Sequence, residues 1–329
     1  MFDNIIIIGA TGLVGIEFVK LIGNQDNLIL ISSNSIGKIC QISGKEFKSM
    51  NDIDYSKNNM YINCANSDQA IEIESKMNSN SYLIDNSSQY RLNKNVPLII
   101  PEINFEDILN YNSKIIANPN CSTIILAMLL NPFIKNNHKI KRIVVSTYQA
   151  ASGAGKVGLD ELLVQTNEFV NQKDLTTNYW KQQYLFNTFV HNSPIDSNGY
   201  CQEENKLINE TSKIFNTKIN VSPTCIRVPV LRSHCESVNI EFENEIDYET
   251  ILNLIKNEKE TLELLNNNHD FPSSLSSNNK HLVQVGHIRQ DFSLDKNKGW
   301  NFWISGDQLL RGAAYNAYLI MEKILFKKI

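Results

Sequence analysis

Cys121 has the residue type and the sequence position needed for covalent chemistry on a carbonyl group. It follows Asn118-Pro119-Asn120 and precedes an apolar segment with helical spacing, Thr123–Leu130, so its thiol is predicted to lie at a helix N-terminus. The positive end of the helix dipole stabilises a thiolate and lowers the thiol pKa. A thiolate beside a nicotinamide can add to an aldehyde, after which hydride leaves and a thioester remains. A buried structural cysteine is the alternative interpretation.

Cys235 is the rival nucleophile because it adjoins His234, and an imidazole can take up and return a proton near neutral pH. Adjacent residues of a strand point to opposite faces, so these two side chains cannot share a pocket if both lie on a strand. We therefore assign Cys235 to the core. The remaining cysteines have neither a helix start nor basic neighbours and are interpreted as structural: Cys40, Cys64, Cys201 and Cys225.

A glycine-rich turn, Gly9-Ala10-Thr11-Gly12-Leu13-Val14-Gly15, stands between the first predicted strand and the first predicted helix. Glycines there permit a tight turn, and the free N–H groups of a helix N-terminus can bind a pyrophosphate. The spacing is G-x-x-G-x-x-G and departs from the strict dinucleotide fingerprint, so a glycine turn without a ligand is the alternative. The predicted cofactor-binding residues of this turn are Gly9, Thr11, Gly12, Leu13 and Val14.

The end of the second predicted strand indicates which dinucleotide is bound. An NAD site usually places Asp or Glu there to accept hydrogen bonds from the ribose. This chain has Ser32-Ser33-Asn34-Ser35-Ile36-Gly37-Lys38 at that place, without an acid. Hydroxyl groups, with Ser32 and Ser35 as candidates, and a nearby lysine can hold a 2′-phosphate. We therefore expect NADP as the cofactor.

The elements that position these residues predict an α/β protein with two domains. Short apolar strands alternate with helices in the first third, which indicates a Rossmann-type parallel sheet. Later strands are longer and alternate in polarity, which indicates an α+β catalytic and dimerisation domain with a mainly antiparallel sheet. The predicted domains are 1–120 with 306–329 for NADP and 121–305 for catalysis. The predicted first-third elements are Ile5–Ile8, Leu13–Ile22, Leu28–Ile31, Tyr61–Cys64, Ser67–Met77, Tyr82–Asp85 and Lys114–Ala117. The later ones are strands Arg142–Tyr148, Ser222–Val230, Glu236–Phe242, Leu282–Asp291 and Gly299–Ser305, then a helix from Asp307 to about Phe326, with loops at 171–200 and 266–280.

Composition excludes several classes of protein. The 329 residues are 42% hydrophobic with a formal net charge of −4, which does not fit a disordered chain. There is no basic excess, so we expect no nucleic-acid partner, and no apolar run approaches the roughly 18–20 residues of a membrane span. The N-terminus lacks the features of a signal peptide. The six cysteines form no CxxC pair, which favours reduced thiols and a cytoplasmic location.

Taken together, four segments resemble the aspartate-semialdehyde dehydrogenase family. They are the glycine turn Gly9–Gly15, the segment 118–123 around Cys121, the segment 146–155 (STYQAASGAG) and the segment 227–234 (RVPVLRSH). The resemblance implies reversible, NADP-dependent and phosphate-using interconversion of L-aspartate 4-semialdehyde and L-aspartyl 4-phosphate. It also implies a homodimer and a place in the biosynthesis of lysine through diaminopimelate and of threonine, methionine and isoleucine.

The resemblance also implies roles for individual residues. Cys121 matches the acyl-thioester nucleophile and His234 the acid/base. Substrate-binding residues are expected at Arg91 (phosphate), Asn120, Gln149 (orientation), Glu203, Lys206 (phosphate) and Arg227 (carboxylate). Further cofactor contacts are expected at Ser152, Gly153 and Gln308. Many family members have Arg where this chain has Asn34, which weakens the case for NADP over NAD.

Two other functions stay open at this stage. A related acyl-phosphate reductase, such as N-acetyl-glutamyl-phosphate reductase, shares the cofactor turn and the catalytic cysteine. A non-catalytic dinucleotide-binding relative is the third possibility, although the nucleophile, the histidine and the arginines are all present. No group of residues has zinc-ligand spacing, so we expect no metal. The other histidines lie in polar segments or at strand edges and are assigned no role: His138, His191, His269, His281 and His287.

Overall fold

The structure, a computed structural model, describes residues 2–266 and 270–327, so His269 lies outside the described residues. The chain forms two compact units. The first comprises Met1–Asn120, Lys213–Phe215 and Gly312–Ile329, and the second comprises Cys121–Ser212 and Asn216–Arg311. Among the described helices, none combines the length and the apolar character that a membrane span requires.

A six-stranded parallel sheet forms the centre of the first unit. Its strands are β1 (Asn4–Ile8), β2 (Leu28–Ile31), β3 (Phe47–Lys48), β4 (Asn59–Asn63), β5 (Tyr82–Asp85) and β6 (Ile115–Ala117). Their order is β3-β2-β1-β4-β5-β6, and every pairing is parallel. The predicted Rossmann-type sheet is thus confirmed. Its strands are apolar and buried because helices cover both faces of a parallel sheet.

The second unit contains a seven-stranded mixed sheet. Its strands are β7 (Ile140–Gln149), β8 (Phe189–Val190), β9 (Val221–Arg227), β10 (His234–Phe242), β11 (Leu262–Leu264), β12 (Val283–Gln290) and β13 (Gly299–Gly306). Their order is β11-β12-β13-β10-β7-β9-β8. Four of the six pairings are antiparallel, which confirms the predicted character of this sheet.

The bounds of two strands differ from prediction at the site. β9 ends at Arg227, before the predicted Val230, because Pro229 has no N–H group with which to continue a ladder. β10 begins at His234, two residues earlier than predicted. Between these strands Ser233 has a left-handed backbone with φ of 70°. The histidine therefore lies on a strand and not in the preceding loop.

The described helices are α1 (Leu13–Ile22), α2 (Ser67–Lys76), α3 (Cys121–Lys135), α4 (Gly155–Val170), α5 (Gln202–Ile214), α6 (Tyr248–Lys256) and α7 (Tyr315–Lys327). α1 has the predicted bounds, whereas α4, α5 and α6 were not predicted. The predicted last helix begins later than Asp307, because a π-helical turn at Leu310–Ala314 precedes α7. Asp307 still caps this segment, since its carboxylate accepts two N–H groups at 3.0 Å. Ala314, with α7 residues such as Ala317 and Ile320, joins the core of the first unit.

Candidate active site

The turn between β1 and α1 has the shape that a dinucleotide requires. Gly9 has φ of +74°, and a Cβ there would lie 3.0 Å from the backbone of Cys64. A Cβ on Gly15 would lie 2.2 Å from the carbonyl oxygen of Gly9, so only glycine fits at both positions. The N-cap of α1 is Gly12, which supplies no side-chain cap for the first N–H groups of the helix. The turn therefore fits a pyrophosphate bound to main-chain N–H groups.

The end of β2 places hydroxyl groups beside this turn. Thr11 Oγ1 and Ser32 Oγ are 2.9 Å apart, and the N–H of Asn34 donates to Ser32 Oγ at 3.3 Å. Ser32 is buried, Ser35 is half-buried and Lys38 is exposed. The segment 32–38 contains no carboxylate. The polar groups that this segment offers to a bound dinucleotide are therefore hydroxyl groups, an amide and one lysine.

Arg91 lies in the first unit, in a loop after β5. Its side chain is buried, and Nη2 donates to the carbonyl of Asn86 at 2.7 Å. The amino group of Lys213 donates to the carbonyls of Arg91, Asn93 and Val96 at 2.7–2.8 Å. The loop that carries Arg91 is thus fixed by one ammonium group. Asn120, also buried, is the last residue before α3.

In the second unit, Gln149 connects the expected substrate-binding residues. It ends β7 and is 1% exposed. Its amide Nε2 donates to Ser122 Oγ at 3.1 Å and to Glu203 Oε1 at 3.3 Å. Its Oε1 accepts from Arg227 Nη1 at 3.5 Å. Because Ser122 directly follows half-buried Cys121, this one amide brings together an acid, an arginine and the start of the helix that carries the thiol.

Glu203 and Lys206 occupy the first turns of α5. Glu203 is buried, and its Oε2 accepts from Lys206 Nζ at 2.9 Å. The pair lies three residues apart on one helix face, which brings their side chains together. The neighbouring Glu204 has a structural role, since its carboxylate accepts the N–H groups of Cys201 and Cys225 at 2.8 and 3.1 Å.

His234 is fully buried, and its two ring nitrogens differ in environment. Nδ1 accepts the N–H of Ala150 at 3.0 Å, so the neutral ring carries its proton on Nε2. Nε2 has no hydrogen-bond partner among the described residues. A Cβ on Gly153 would lie 2.9 Å from Nε2 and 3.0 Å from Arg227 Nη1. Burial, followed by the positive charge of Arg227, lowers the pKa of His234 to about 3.

The side chains of Ser152 and Gln308 form a hydrogen bond. Gln308 Nε2 donates to Ser152 Oγ at 2.5 Å, and Ser152 Oγ donates to the carbonyl of Leu231 at 2.5 Å. Gln308 Oε1 accepts the N–H of Ser233 at 2.7 Å. These hydrogen bonds fix the left-handed backbone of Ser233, the residue directly before His234. A contact of Ser152 or Gln308 with a cofactor stays a prediction.

Sequence reasoning missed the residues that surround Arg227. Its Nη2 lies 2.7 Å from His191 Nε2, its Nε donates to Asn192 Oδ1 at 3.4 Å, and its guanidinium carbon lies 5.5 Å from the centre of the Trp180 ring. His191, to which the sequence assigned no role, contacts Arg227 directly after β8, a two-residue strand inside the predicted loop 171–200. The aromatic residues of this otherwise polar segment were the available signal, because Trp180 and Tyr184 form a small core with Leu162.

The remaining candidate groups do not form a second centre. Cys235 is buried, and its Sγ contacts Ser274 and Ser305 hydroxyls at 3.4 Å, in keeping with a core position. All six cysteines are free thiols. Within the described part of the chain, no cluster of His, Cys, Asp and Glu could hold a metal ion.

Two family models match most of the chain. Residues 4–111 match the NAD binding domain of semialdehyde dehydrogenase, and residues 130–311 match the semialdehyde dehydrogenase dimerisation domain. Aspartate-semialdehyde dehydrogenase from Prochlorococcus marinus is 36% identical over 97% of this chain and 95% of the relative. The chain belongs to the aspartate-semialdehyde dehydrogenase family. The resemblance noted from the sequence motifs is thereby confirmed.

Further relatives agree with this assignment. Aspartate-semialdehyde dehydrogenase 2 from Vibrio cholerae is 37% identical over 98% of this chain and 97% of the relative. The crystal structure of the Vibrio cholerae enzyme II complexed with ASA superposes with a TM-score of 0.94, at 36% identity and full coverage of both chains. The Candida albicans enzyme with NADP has the same fold, with a TM-score of 0.73, 22% identity and 98% coverage of both chains.

Proposed function

We propose that this protein is an NADP-dependent, phosphorylating aldehyde dehydrogenase that interconverts L-aspartyl 4-phosphate and L-aspartate 4-semialdehyde. The observation that carries the proposal is the position of Gln149. Its amide bonds at once to Ser122, beside the nucleophile Cys121, and to Glu203 and Arg227, which are suited to opposite charges of an amino acid.

The substrate has an ammonium, a carboxylate and an acyl group, and phosphate is the second anion. Arg227 offers a positive charge and an N–H donor to the carboxylate, and the carboxylate of Glu203 offers a partner to the ammonium. Arg91 and Lys206 are the proposed phosphate ligands. An N-acetylated substrate has no ammonium for Glu203, so the buried acid favours the aspartate derivative over N-acetyl-glutamyl phosphate.

The proposed cofactor-binding residues lie at the β1–α1 turn and the end of β2, with Ser32 and Ser35 toward a 2′-phosphate. Ser152, Gly153 and Gln308 complete the proposed cofactor contacts. NADPH, when bound, supplies the hydride that reduces the thioester. The glycines that leave no room for a Cβ support this assignment, as does the absence of a carboxylate from 32–38.

The nucleophile is the thiolate of Cys121. In the biosynthetic direction its sulfur forms a bond to the acyl carbon, and phosphate leaves with the electrons of the broken C–O bond. After reduction, the hemithioacetal oxyanion collapses, the C–S bond breaks and the sulfur returns as a thiolate. Main-chain N–H groups at the start of α3, with Asn120, are the proposed donors to the oxyanion, because the N-terminus of a helix favours negative charge.

His234 is proposed to hold the reacting oxygen through Nε2–H. The ring's only lone pair, on Nδ1, accepts the N–H of Ala150, so uptake of the thiol proton requires that bond to break. Neutral imidazole can stabilise a developing oxyanion as a hydrogen-bond donor. This tautomer of His234 thus favours a hydrogen bond from Nε2–H to the reacting oxygen over the acid/base role that the resemblance implies.

The proposed assembly is a homodimer formed through the second unit, as the matched dimerisation domain suggests. One face of its sheet presents half-exposed side chains, among them Tyr148 and Trp303, whose rings lie 5.4 Å apart. The free thiols support the expectation of a reducing compartment such as the cytoplasm.

The test is reduction of NADP by aspartate semialdehyde with and without phosphate, repeated with NAD and with N-acetyl-glutamate semialdehyde. We expect turnover that requires phosphate and prefers both NADP and the aspartate compound. Cys121→Ala should abolish turnover and leave NADP binding unchanged, whereas Cys40→Ala, a buried thiol of the first unit, should remain active. Preference for the N-acetylated compound, or turnover by Cys121→Ala, would overturn the proposal.

A further inference from the structure

His191 contacts Arg227 more closely than any other described group does. The distance from its Nε2 to Arg227 Nη2 is 2.7 Å, whereas the contacts of Arg227 with Asn192, Gln149 and the carbonyl of Ala150 are 3.4–3.5 Å. A guanidinium can only donate hydrogen bonds. His191 Nε2 must therefore be the accepting, unprotonated nitrogen.

The other ring nitrogen of His191 connects to the start of α5. The proton of the neutral ring is then on Nδ1, which lies 3.0 Å from Ser193 Oγ and 3.2 Å from the main-chain nitrogen of Ser193. Because a neutral ring has one acceptor nitrogen and the 2.7 Å contact with Arg227 takes it, Nδ1–H donates to the hydroxyl oxygen and does not accept the N–H of Ser193. The same hydroxyl oxygen accepts the main-chain N–H of Glu203 at 3.2 Å. His191 and Ser193 thus join the proposed carboxylate ligand Arg227 to the residue proposed to bind the ammonium.

The segment that carries His191 is held from two sides. Trp180 is buried beneath the guanidinium, and its Nε1 donates to the carbonyl of Gly158 at 3.1 Å. The N–H of His191 donates to the carbonyl of Cys225, two residues before Arg227, at 2.8 Å. Burial, and then the charge of Arg227, lowers the pKa of His191 to about 4, although Glu203 acts in the opposite direction. The ring stays neutral at physiological pH.

We propose that His191 is a positioning residue that, as a neutral acceptor, holds the Arg227 guanidinium in the orientation that binds the substrate carboxylate. The inference rests on the proposed function, because it takes the carboxylate as the ligand of Arg227. It assigns a role to the segment after α4. Four of the five N–H groups of the guanidinium then have acceptors, and one on Nη2 remains for the substrate.

The kinetic test compares His191→Leu with His191→Gln. Leucine removes the acceptor, and we expect the KM for aspartate semialdehyde to rise about tenfold, with kcat and the KM for phosphate changed less than about twofold. Glutamine offers an amide oxygen at similar reach and should keep KM within about threefold of the wild type. His138→Leu, a change at another half-buried histidine, is the matched control and should leave both KM values unchanged.

A measurement without substrate separates this inference from the proposed function. In 15N spectra of labelled histidine, His191 should be neutral from pH 5.5 to 9 with Nε2 unprotonated, and Arg227→Leu should raise its pKa. Three results would each overturn the inference. The first is equal KM values in the Leu and Gln variants, and the second is a proton on Nε2. The third is a parallel fall of kcat, of the affinities for aspartate semialdehyde and phosphate, and of Tm. If the wild type does not turn over aspartate semialdehyde, the proposed function is wrong, and the spectra alone then test the contact between His191 and Arg227.

Discussion

Gly153→Ala is a small change with a large expected effect on the reaction. The new Cβ would lie 2.9 Å from both Cε1 and Nε2 of His234 and 3.0 Å from Nη1 of Arg227. The imidazole cannot move freely, because it is fully buried and accepts the N–H of Ala150. The guanidinium is also restrained, because Nη1 donates to Gln149 and to the carbonyl of Ala150. The backbone at Gly153 does not have a positive φ, so the substitution tests crowding and not backbone strain.

The expected magnitude follows from the displacement. Ordinary contacts begin at 3.4 Å, so the imidazole or the backbone must move by about 0.5 Å. Overpacking of this kind costs about 1–3 kcal/mol. If most of that free energy is lost from the transition state, kcat/KM falls about fivefold to 150-fold, since each 1.4 kcal/mol is a factor of ten.

The assay is kcat/KM for aspartate semialdehyde together with the Tm of each variant. Gly299→Ala is the matched control, because its Cβ would lie 2.6 Å from Leu294 Cδ1 and 2.9 Å from Asp291 Cβ, with no site residue among its nearest contacts. We expect the control to lose stability and keep its kcat/KM. If folded Gly153→Ala retained kcat/KM within twofold of the wild type, the contact between residue 153 and the imidazole would not matter to the reaction.

Two further predictions concern stability as a function of pH. The pKa of His234 is about 3 in the folded protein and about 6.5 in the unfolded chain. The unfolded chain therefore binds a proton as pH falls below 6.5, and the folded protein loses stability. In denaturant titrations between pH 6 and 4, His234→Gln should reduce the slope of the free energy of unfolding against pH by about 1.4 kcal/mol per pH unit. An unchanged slope would contradict the buried neutral ring. Glu236 is fully buried, neither carboxyl oxygen has a hydrogen-bond partner among the described residues, and burial raises its pKa well above the usual value. The free energy of unfolding should therefore fall as pH rises above about 4.5. Glu236→Gln should be more stable than the wild type by about 1–3 kcal/mol at pH 8, with a smaller gain at pH 5. A Glu236→Gln variant that is less stable than the wild type at pH 8 would refute the assignment.

Local sequence signals were sufficient for the first part of the fold. The bounds of α1 and β2 follow from the sequence because glycine turns and short apolar strands are local features. α5 was missed because its sequence, QEENKLINETSKI, is mostly polar. It is a helix whose buried face includes Leu207 and several acids, and burial of acids depends on partners that the local sequence does not reveal.

In the candidate site, too, some residues could be predicted from the sequence and others could not. Gln149 and Arg227 could be named because their motifs resemble those of a family, and their mutual contact is now visible. His191 and Trp180 have no such motif. His191 lies beside Arg227 because it follows β8, which pairs with β9, and Trp180 packs against Phe189 of β8, with ring centres 5.8 Å apart. Such pairing joins residues that are far apart in the chain, so composition and spacing do not predict it.

The contribution of Ala317, Ile320 and Ile324 to the core of the first unit has a consequence for synthesis. A nascent chain that has passed residue 120 already contains every strand of the parallel sheet, yet one apolar surface stays uncovered until about two hundred more residues have been translated. We therefore expect the core of the first unit to be completed only after α7 has been synthesised. Chains released early, lacking α7, should aggregate or be degraded before the dinucleotide turn becomes stable.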